Sequence, residues 1–429
     1  MIGRHDSQES LRARFNLISE SGLCIGCGLC QSLAGPERIA MAKTPEGNQR
    51  PVVTGDLDRE LVDKIYAVCP GTVIEGLPEA LVDEATQSDP VWGPLRRIVR
   101  AWAADPEVRF RGSTGGVLSA LATYLLESGR VDFILHATAA KDEPTWGERH
   151  ISFDKAAVMA GAGSRYGPTA PLLDIGEVLA RGRAFAFVGK PCDVAALRSY
   201  ARFDERVDKL CKLQMVPVCG GFMETGGMAK FLASLGIAEE ELTGFSYRGY
   251  GCPGPTRVET ADGRVIDKNY LDLWGEDESA WKLPFRCKVC PDGIGEAADI
   301  AAADTWPGGS PAWEGQKDDP GTNAVVARTA AGLEVLEGAA RDGAIVVERD
   351  ITARDLSDYQ PHQVSKKFAV WARHAGLRAA GHLAPETARL RIAELAKEAG
   401  FAANLAQARG TRRRAREGLT GEPTPRPTE

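Results

Sequence analysis

In 429 residues no apolar run is long enough to span a membrane, and the first ten residues are polar, with no secretory apolar core. A cytoplasmic location without membrane attachment is therefore expected. Positive charge is not in excess: 52 Lys and Arg stand against 59 Asp and Glu, for a net charge of −7, which argues against a nucleic-acid surface. Histidines number six, too few and too scattered to suggest the His pairs that accompany many zinc sites. There is no internal repeat.

What remains is an ordinary globular composition, 43% hydrophobic and 26% charged, in a chain long enough for two to three domains. Ten cysteines in a reducing compartment are not a disulfide framework, and their clustering points to metal. The densest cluster is Cys24-Ile25-Gly26-Cys27-Gly28-Leu29-Cys30, with Cys69-Pro70 downstream. Three thiols at two successive CxxC spacings can hold three corners of an iron–sulfur cube. A distal Cys-Pro can supply the fourth, as in the bacterial ferredoxin run. Glycines let such a loop turn tightly and aim amides at cluster sulfurs. Zinc is the rival reading, but it usually brings a second CxxC or a His pair.

A second constellation is Cys287-Lys288-Val289-Cys290-Pro291. Cys192 and Cys219 each follow an expected strand, where functional residues of α/β sheets gather. These four can converge on a second [4Fe–4S] cluster, with Cys252 and Cys211 as competitors for a ligand position. An isolated cysteine is otherwise a buried free thiol.

Apolar runs at 131–137, 184–188 and 215–219 read as strands, and 117–126 as an apolar helix, so strand–turn–helix units predict an α/β sheet. Arg111-Gly112-Ser113-Thr114-Gly115-Gly116 opens that helix, where N–H groups and the dipole favour an anion. The pattern is neither Walker A nor GxGxxG, and a simple N-cap explains it equally. Lys190 sits between a strand and a Pro-started helix, where a cation could tune a flavin or simply be solvated. Gly321-Thr322-Asn323 is a turn or a cofactor contact.

Taken together, Gly189-Lys190-Pro191-Cys192, Tyr247-Arg248-Gly249-Tyr250-Gly251-Cys252-Pro253-Gly254, Arg286-Cys287-Lys288-Val289-Cys290-Pro291-Asp292-Gly293 and Asp304-Thr305-Trp306 resemble the coenzyme F420 hydrogenase/dehydrogenase beta-subunit family. Ser113 to Gly116 and Arg165-Tyr166-Gly167-Pro168 resemble its N-terminal region. Its members include deazaflavin-coenzyme oxidoreductase subunits and ferredoxin-dependent tetrapyrrole reductases. The resemblance implies FAD with a [4Fe–4S] cluster beside it and an extra ferredoxin-like segment. Cofactor contacts are then expected at Ser113, Thr114, Gly115, Gly116, Tyr166, Lys190 and Asn323. Metal ligands are expected at Cys24, Cys27, Cys30, Cys69, Cys192, Cys219, Cys287 and Cys290.

The expected fold is mixed α/β: a ferredoxin-like [4Fe–4S] segment (1–77), an FAD-binding α/β part (95–240) and a β-rich part with the CxxC site (241–380). An acidic linker (78–94), a helical extension (381–409) and a disordered tail (410–429) complete it. The expected activity is an oxidoreductase passing electrons from a ferredoxin-like donor, through two [4Fe–4S] clusters and FAD, to a small organic acceptor. The alternative is an electron-transfer subunit of a larger hydrogenase or dehydrogenase complex, with a partner redox subunit. Homo-oligomerisation is open. His136, His150 and His362, with Tyr166 and Asp304, are the candidate proton donors, and none is singled out.

Overall fold

The computed structural model describes residues 7–275, 283–311 and 319–427. Its centre is an eight-stranded mixed sheet. We label its strands β1 (Arg97–Ala103), β2 (Phe133–Ala139), β3 (Gly147–Ser152), β4 (Phe185–Val188), β5 (Cys211–Pro217), β6 (Ile300–Asp304), β7 (Asn323–Ala327) and β8 (Ile345–Asp350). The spatial order is β8-β1-β7-β6-β5-β4-β2-β3. The β2, β4, β5 and β6 strands run parallel, and the flanking strands pair antiparallel. Every residue of β7 is buried, as expected of a strand covered on both faces.

Alternation along the strands builds two cores. Phe133, Leu135, Phe185, Phe187, Val216, Ala301 and Val326 point to one face. Ile134, Ala186, Leu213, Met215, Ile300 and Val325 point to the other, under the helices Val117–Glu127 and Ala330–Arg341. The first core also takes Ile25, Cys27, Leu29, Val68 and Trp92, so the N-terminal segment is packed directly on the sheet.

Three expectations are corrected here. The sheet does not divide at 240, because β6, β7 and β8 lie in one sheet with β1 to β5. The β-rich excursion between them is a three-stranded antiparallel sheet, Leu242–Ser246, Pro255–Thr260 and Val265–Asn269. Residues 78–94 are not a free linker. Trp92 is fully buried there and donates from Nε1 to Ser357 Oγ at 2.9 Å, while Arg328 donates to the Trp92 and Pro94 carbonyls. The tail is not disordered over its described length. The helix Phe401–Arg416 runs past Gly410, and the chain then returns to the N-terminal segment. Within 381–409 a strand, Glu386–Ala388, pairs with Val73–Glu75 before two helices.

The returning tail is held by charge and backbone. Arg50, buried, donates from Nε and Nη2 to the two Glu422 carboxylate oxygens at 2.6 and 2.7 Å. The Glu422 N–H donates to the Glu20 carbonyl at 3.1 Å. Replacing Glu422 with Ala strands a buried guanidinium, which costs about 3 kcal/mol. Glu422→Ala should therefore lower the urea unfolding midpoint; an unchanged midpoint contradicts the pairing.

Candidate functional site

Cys24, Cys27, Cys30 and Cys69 surround one cavity, otherwise walled by Phe15, Ile18, Ile65, Val68 and other apolar groups. The loop reaches it through two left-handed glycines, Gly26 (φ 72°) and Gly28 (φ 86°). A Cβ on Gly26 would sit 2.5 Å from the Gln49 carbonyl oxygen, and one on Gly28 would sit 2.8 Å from the Leu173 nitrogen, so the loop is threaded where only glycine fits. Gly26 N–H donates to Cys24 Sγ at 3.3 Å, and Gly71 N–H to Cys69 Sγ at 3.4 Å. Cys69 ends the helix Arg59–Val68, whose start is capped by the Asp58 side chain accepting from Leu61 N–H at 2.7 Å.

Cys192, Cys219, Cys287 and Cys290 surround a second cavity. Cys192 lies in the first turn of the helix Pro191–Tyr200, just beyond β4, and Cys219 lies just beyond β5. Cys287 is in the short helix Phe285–Lys288 and Cys290 follows it. The Cys219 backbone is clamped: its N–H donates to Gly293 O at 2.7 Å, and its carbonyl accepts from Gln363 Nε2 at 2.8 Å. Three cations, Lys190, Arg286 and Lys366, line this cavity, whereas none lines the first. Ile25 lines both cavities, so they are neighbours.

Burial raises the thiols of Cys24, Cys27, Cys30 and Cys69 in the first set and of Cys192, Cys219 and Cys287 in the second. Cys69 and Cys219 are pushed up to about 12, by burial first and by neighbouring thiols next. Burial also holds Cys27, Cys30 and Cys192 well above the ordinary range. Four thiolates cannot share such a space unless a positive group sits among them. Among the described residues, no three His, Cys, Asp or Glu side chains are grouped to hold a single metal ion. The thiols ring cavities rather than converge on a point, which suits a cluster better than zinc.

The competitors stand elsewhere. Cys211 begins β5, at the opposite end from Cys219. Cys252 is buried near Trp306 and packs against Gly321, where an added Cβ would lie 2.9 Å from its own Cβ. Neither lines the second cavity.

The Ser113–Gly116 stretch meets Asn323 and Asp304 at the carboxyl edge of β6. Asn323 Oδ1 accepts from Val117 N–H at 3.3 Å, and Thr114 Oγ1 donates to Asp304. Arg248, buried, donates to Thr114 Oγ1 at 2.6 Å and to Asp304 Oδ2 at 2.9 Å, with its guanidinium 4.4 Å from the centre of the Trp306 ring. Added Cβ atoms on Gly115 and Gly116 would strike Asn323 and the Val108 carbonyl, so these glycines serve close packing. Among the described residues, the N–H groups of Ser113, Thr114, Gly115 and Gly116 have no acceptor.

Two expected cofactor contacts are not part of this group. Lys190 lines the second cysteine cavity and pairs with Asp193 at 2.8 Å, because the Pro191-started helix turns its carboxylate back onto the cap. Tyr166 packs edge-on to Tyr247 and Trp274 in an aromatic cluster behind the loop. Arg248, Arg286 and Gln363 had no role that the sequence alone could assign. The two arginines sit inside the motifs quoted above, but their partners are remote in sequence.

The same residues carry a match to known proteins. Residues 98–176 match the N-terminal domain of the beta subunit of coenzyme F420 hydrogenase/dehydrogenase, and residues 182–352 match the C-terminal domain of that subunit. The chain belongs to the coenzyme F420 hydrogenase/dehydrogenase beta-subunit family. A solved structure of the F420-reducing [NiFe] hydrogenase complex from Methanosarcina barkeri, derivatised with xenon, contains a chain of similar fold. That likeness has a TM-score of 0.50 at 20% identity and covers 65% of this chain and 92% of that one. No curated protein matches. All four cysteines of the second cavity fall within the matched regions, and all four of the first precede them. Among the described residues, no helix of this family member is long and apolar enough to cross a membrane.

Among the described residues, no histidine lines either cysteine cavity. His136 and His150 face each other across β2 and β3. Burial lowers His136 to about 4, and its Nε2 lies 2.7 Å from Ser152 Oγ. Burial likewise lowers His362 to about 4. A depressed histidine means the unfolded chain binds the proton first, so stability is complete above about pH 6.5 and falls towards pH 4. For His136 the loss over that window is about 3 kcal/mol. Urea unfolding between pH 7.5 and 4.5 should show this slope, and His136→Gln should reduce it by the His136 share while His362 and His374, lowered to about 4 as well, keep the rest.

Proposed function

We propose that this chain is an iron–sulfur flavoprotein that serves as the electron-transfer subunit of a larger oxidoreductase complex. The observation that carries the reading is the pair of four-cysteine cavities with Ile25 as a common wall. Cys24, Cys27, Cys30 and Cys69 would hold one [4Fe–4S] cluster, and Cys192, Cys219, Cys287 and Cys290 a second. Such clusters supply one-electron transfer, and FAD supplies exchange between single electrons and pairs.

The residues around the cavities suit that service. Apolar walls keep water from the first set of thiols, and the cations of the second offset negative charge. Ser113 to Gly116 offer unpartnered amides at the start of a helix, on the same sheet edge as Cys192 and Cys219. That supports FAD with its phosphates at those amides and Asn323 alongside. The family, and a fold match to a chain of a hydrogenase complex, favour the subunit reading. Coenzyme F420, named by the family, is then the two-electron carrier to try first. A self-contained reductase, fed by a ferredoxin and acting on a small organic acceptor, is the second reading. The presence of both cavities in one chain favours it.

Anaerobically purified protein should contain about eight irons, matching acid-labile sulfide and one flavin. Cys24→Ser and Cys287→Ser should each lose about half the iron. Zinc in place of iron, without flavin, would contradict the redox reading. Reduction of coenzyme F420 or dyes, with organic acceptors untouched until a partner subunit is added, separates the two readings.

A further inference from the structure

Arg286 is 1% exposed, yet among the described residues no carboxylate pairs with it. Two other buried arginines have a carboxylate: Arg50 has Glu422 and Arg248 has Asp304. Arg328, also fully buried, donates to the carbonyls of Trp92, Pro94 and Ile294. Arg286 instead donates from Nε and Nη2 to one carbonyl, Pro70 O, at 2.9 and 2.8 Å. Pro70 is in the wall of the first cavity, next to Cys69. Arg286 itself lines the second cavity together with Cys192, Cys287 and Cys290. Its charge also acts on Cys69, across the wall.

A buried guanidinium without an anion is costly, and it stays protonated in proteins. Arg286 shares the second cavity with its thiols and with Asp292, and it reaches the wall of the first through Pro70 O. Resting on the two-cluster reading above, we infer that Arg286 is an electrostatic bridge between the two cysteine sites. It touches neither a substrate nor a reacting atom, so it is a positioning residue. It fixes the Cys69-Pro70 wall against the second site and favours the extra negative charge that each site gains on reduction. An electron moved from one site to the other then stays in the field of the same cation.

The test is a redox titration followed by electron paramagnetic resonance, on the full chain with its iron content measured. Arg286→Gln keeps a donor for Pro70 O and removes the charge. Both midpoint potentials should shift downward, further at the second site, with iron retained. Arg286→Lys keeps the charge and should keep both potentials near those of the wild type. Unchanged potentials in Arg286→Gln, or a shift at one site alone, overturn the inference. Where Arg286→Gln does not hold iron, Arg286→Lys decides. Potentials near wild type support the bridge, and potentials lowered at both sites despite the retained charge overturn it. Wild-type protein with fewer than two clusters overturns the two-cluster reading, and this inference with it.

Discussion

Eight thiols kept together in two neighbouring cavities are the constraint on which the rest of this structure depends. Burial holds most of these thiols high, and each set adds mutual repulsion as its protons leave. A site of this kind is poorly satisfied on its own and well satisfied by a group that is positive at its metal ions and accepts four sulfur ligands. Such thiols must be held by backbone, because side-chain packing cannot organise a space meant for another group. That explains the left-handed glycines at 26 and 28, the Gly293 and Gln363 clamp on Cys219, and the donation of Arg286 to Pro70.

The sheet supplies the second site and the N-terminal segment is fitted to it. Parallel strands β4 and β5 end at one edge, and the loops beyond them present Cys192 and Cys219 there. The Thr114, Asp304 and Arg248 group stands at the same edge, at the end of β6. Because Ile25, Cys27 and Trp92 are buried in a sheet core, the first cavity is placed by the same packing that stabilises the fold. The C-terminal return adds a further hold near Cys24, through Arg50 and Glu422. The cysteines of the first cavity precede the regions that match the family models.

Local spacing made Cys24, Cys27, Cys30, Cys287 and Cys290 readable in the sequence, since CxxC turns are short-range geometry, whereas Cys69 was read from its Cys-Pro and Cys192 and Cys219 from their strand-end positions. Apolar runs likewise gave β2, β4 and β5 to within a few residues. What was not readable depends on distant partners. Glu422 meets Arg50 across 372 positions, so an Arg- and Pro-rich tail looked free when it is tethered. The stretch 78–94 looked like a linker because its polar residues outnumber Trp92, whose burial is decided by Ser357 and Arg328. Lys190 sits at the strand end where the sequence put it, and there it pairs with Asp193, three residues on, and lines the second cysteine cavity. The boundary at 240 failed because β6 to β8 return to a sheet begun before it, and edge order is not written in local periodicity.

The central claim is that the two cysteine sites hold clusters close enough to act as one relay. Electron paramagnetic resonance of the fully reduced, anaerobic protein tests it most directly. Two neighbouring paramagnetic clusters broaden and split each other's signals, and the account predicts such an interaction spectrum. It also predicts that Cys24→Ser leaves a single unsplit signal from the second site. Two sharp, independent signals, or one signal insensitive to Cys24→Ser, would contradict it.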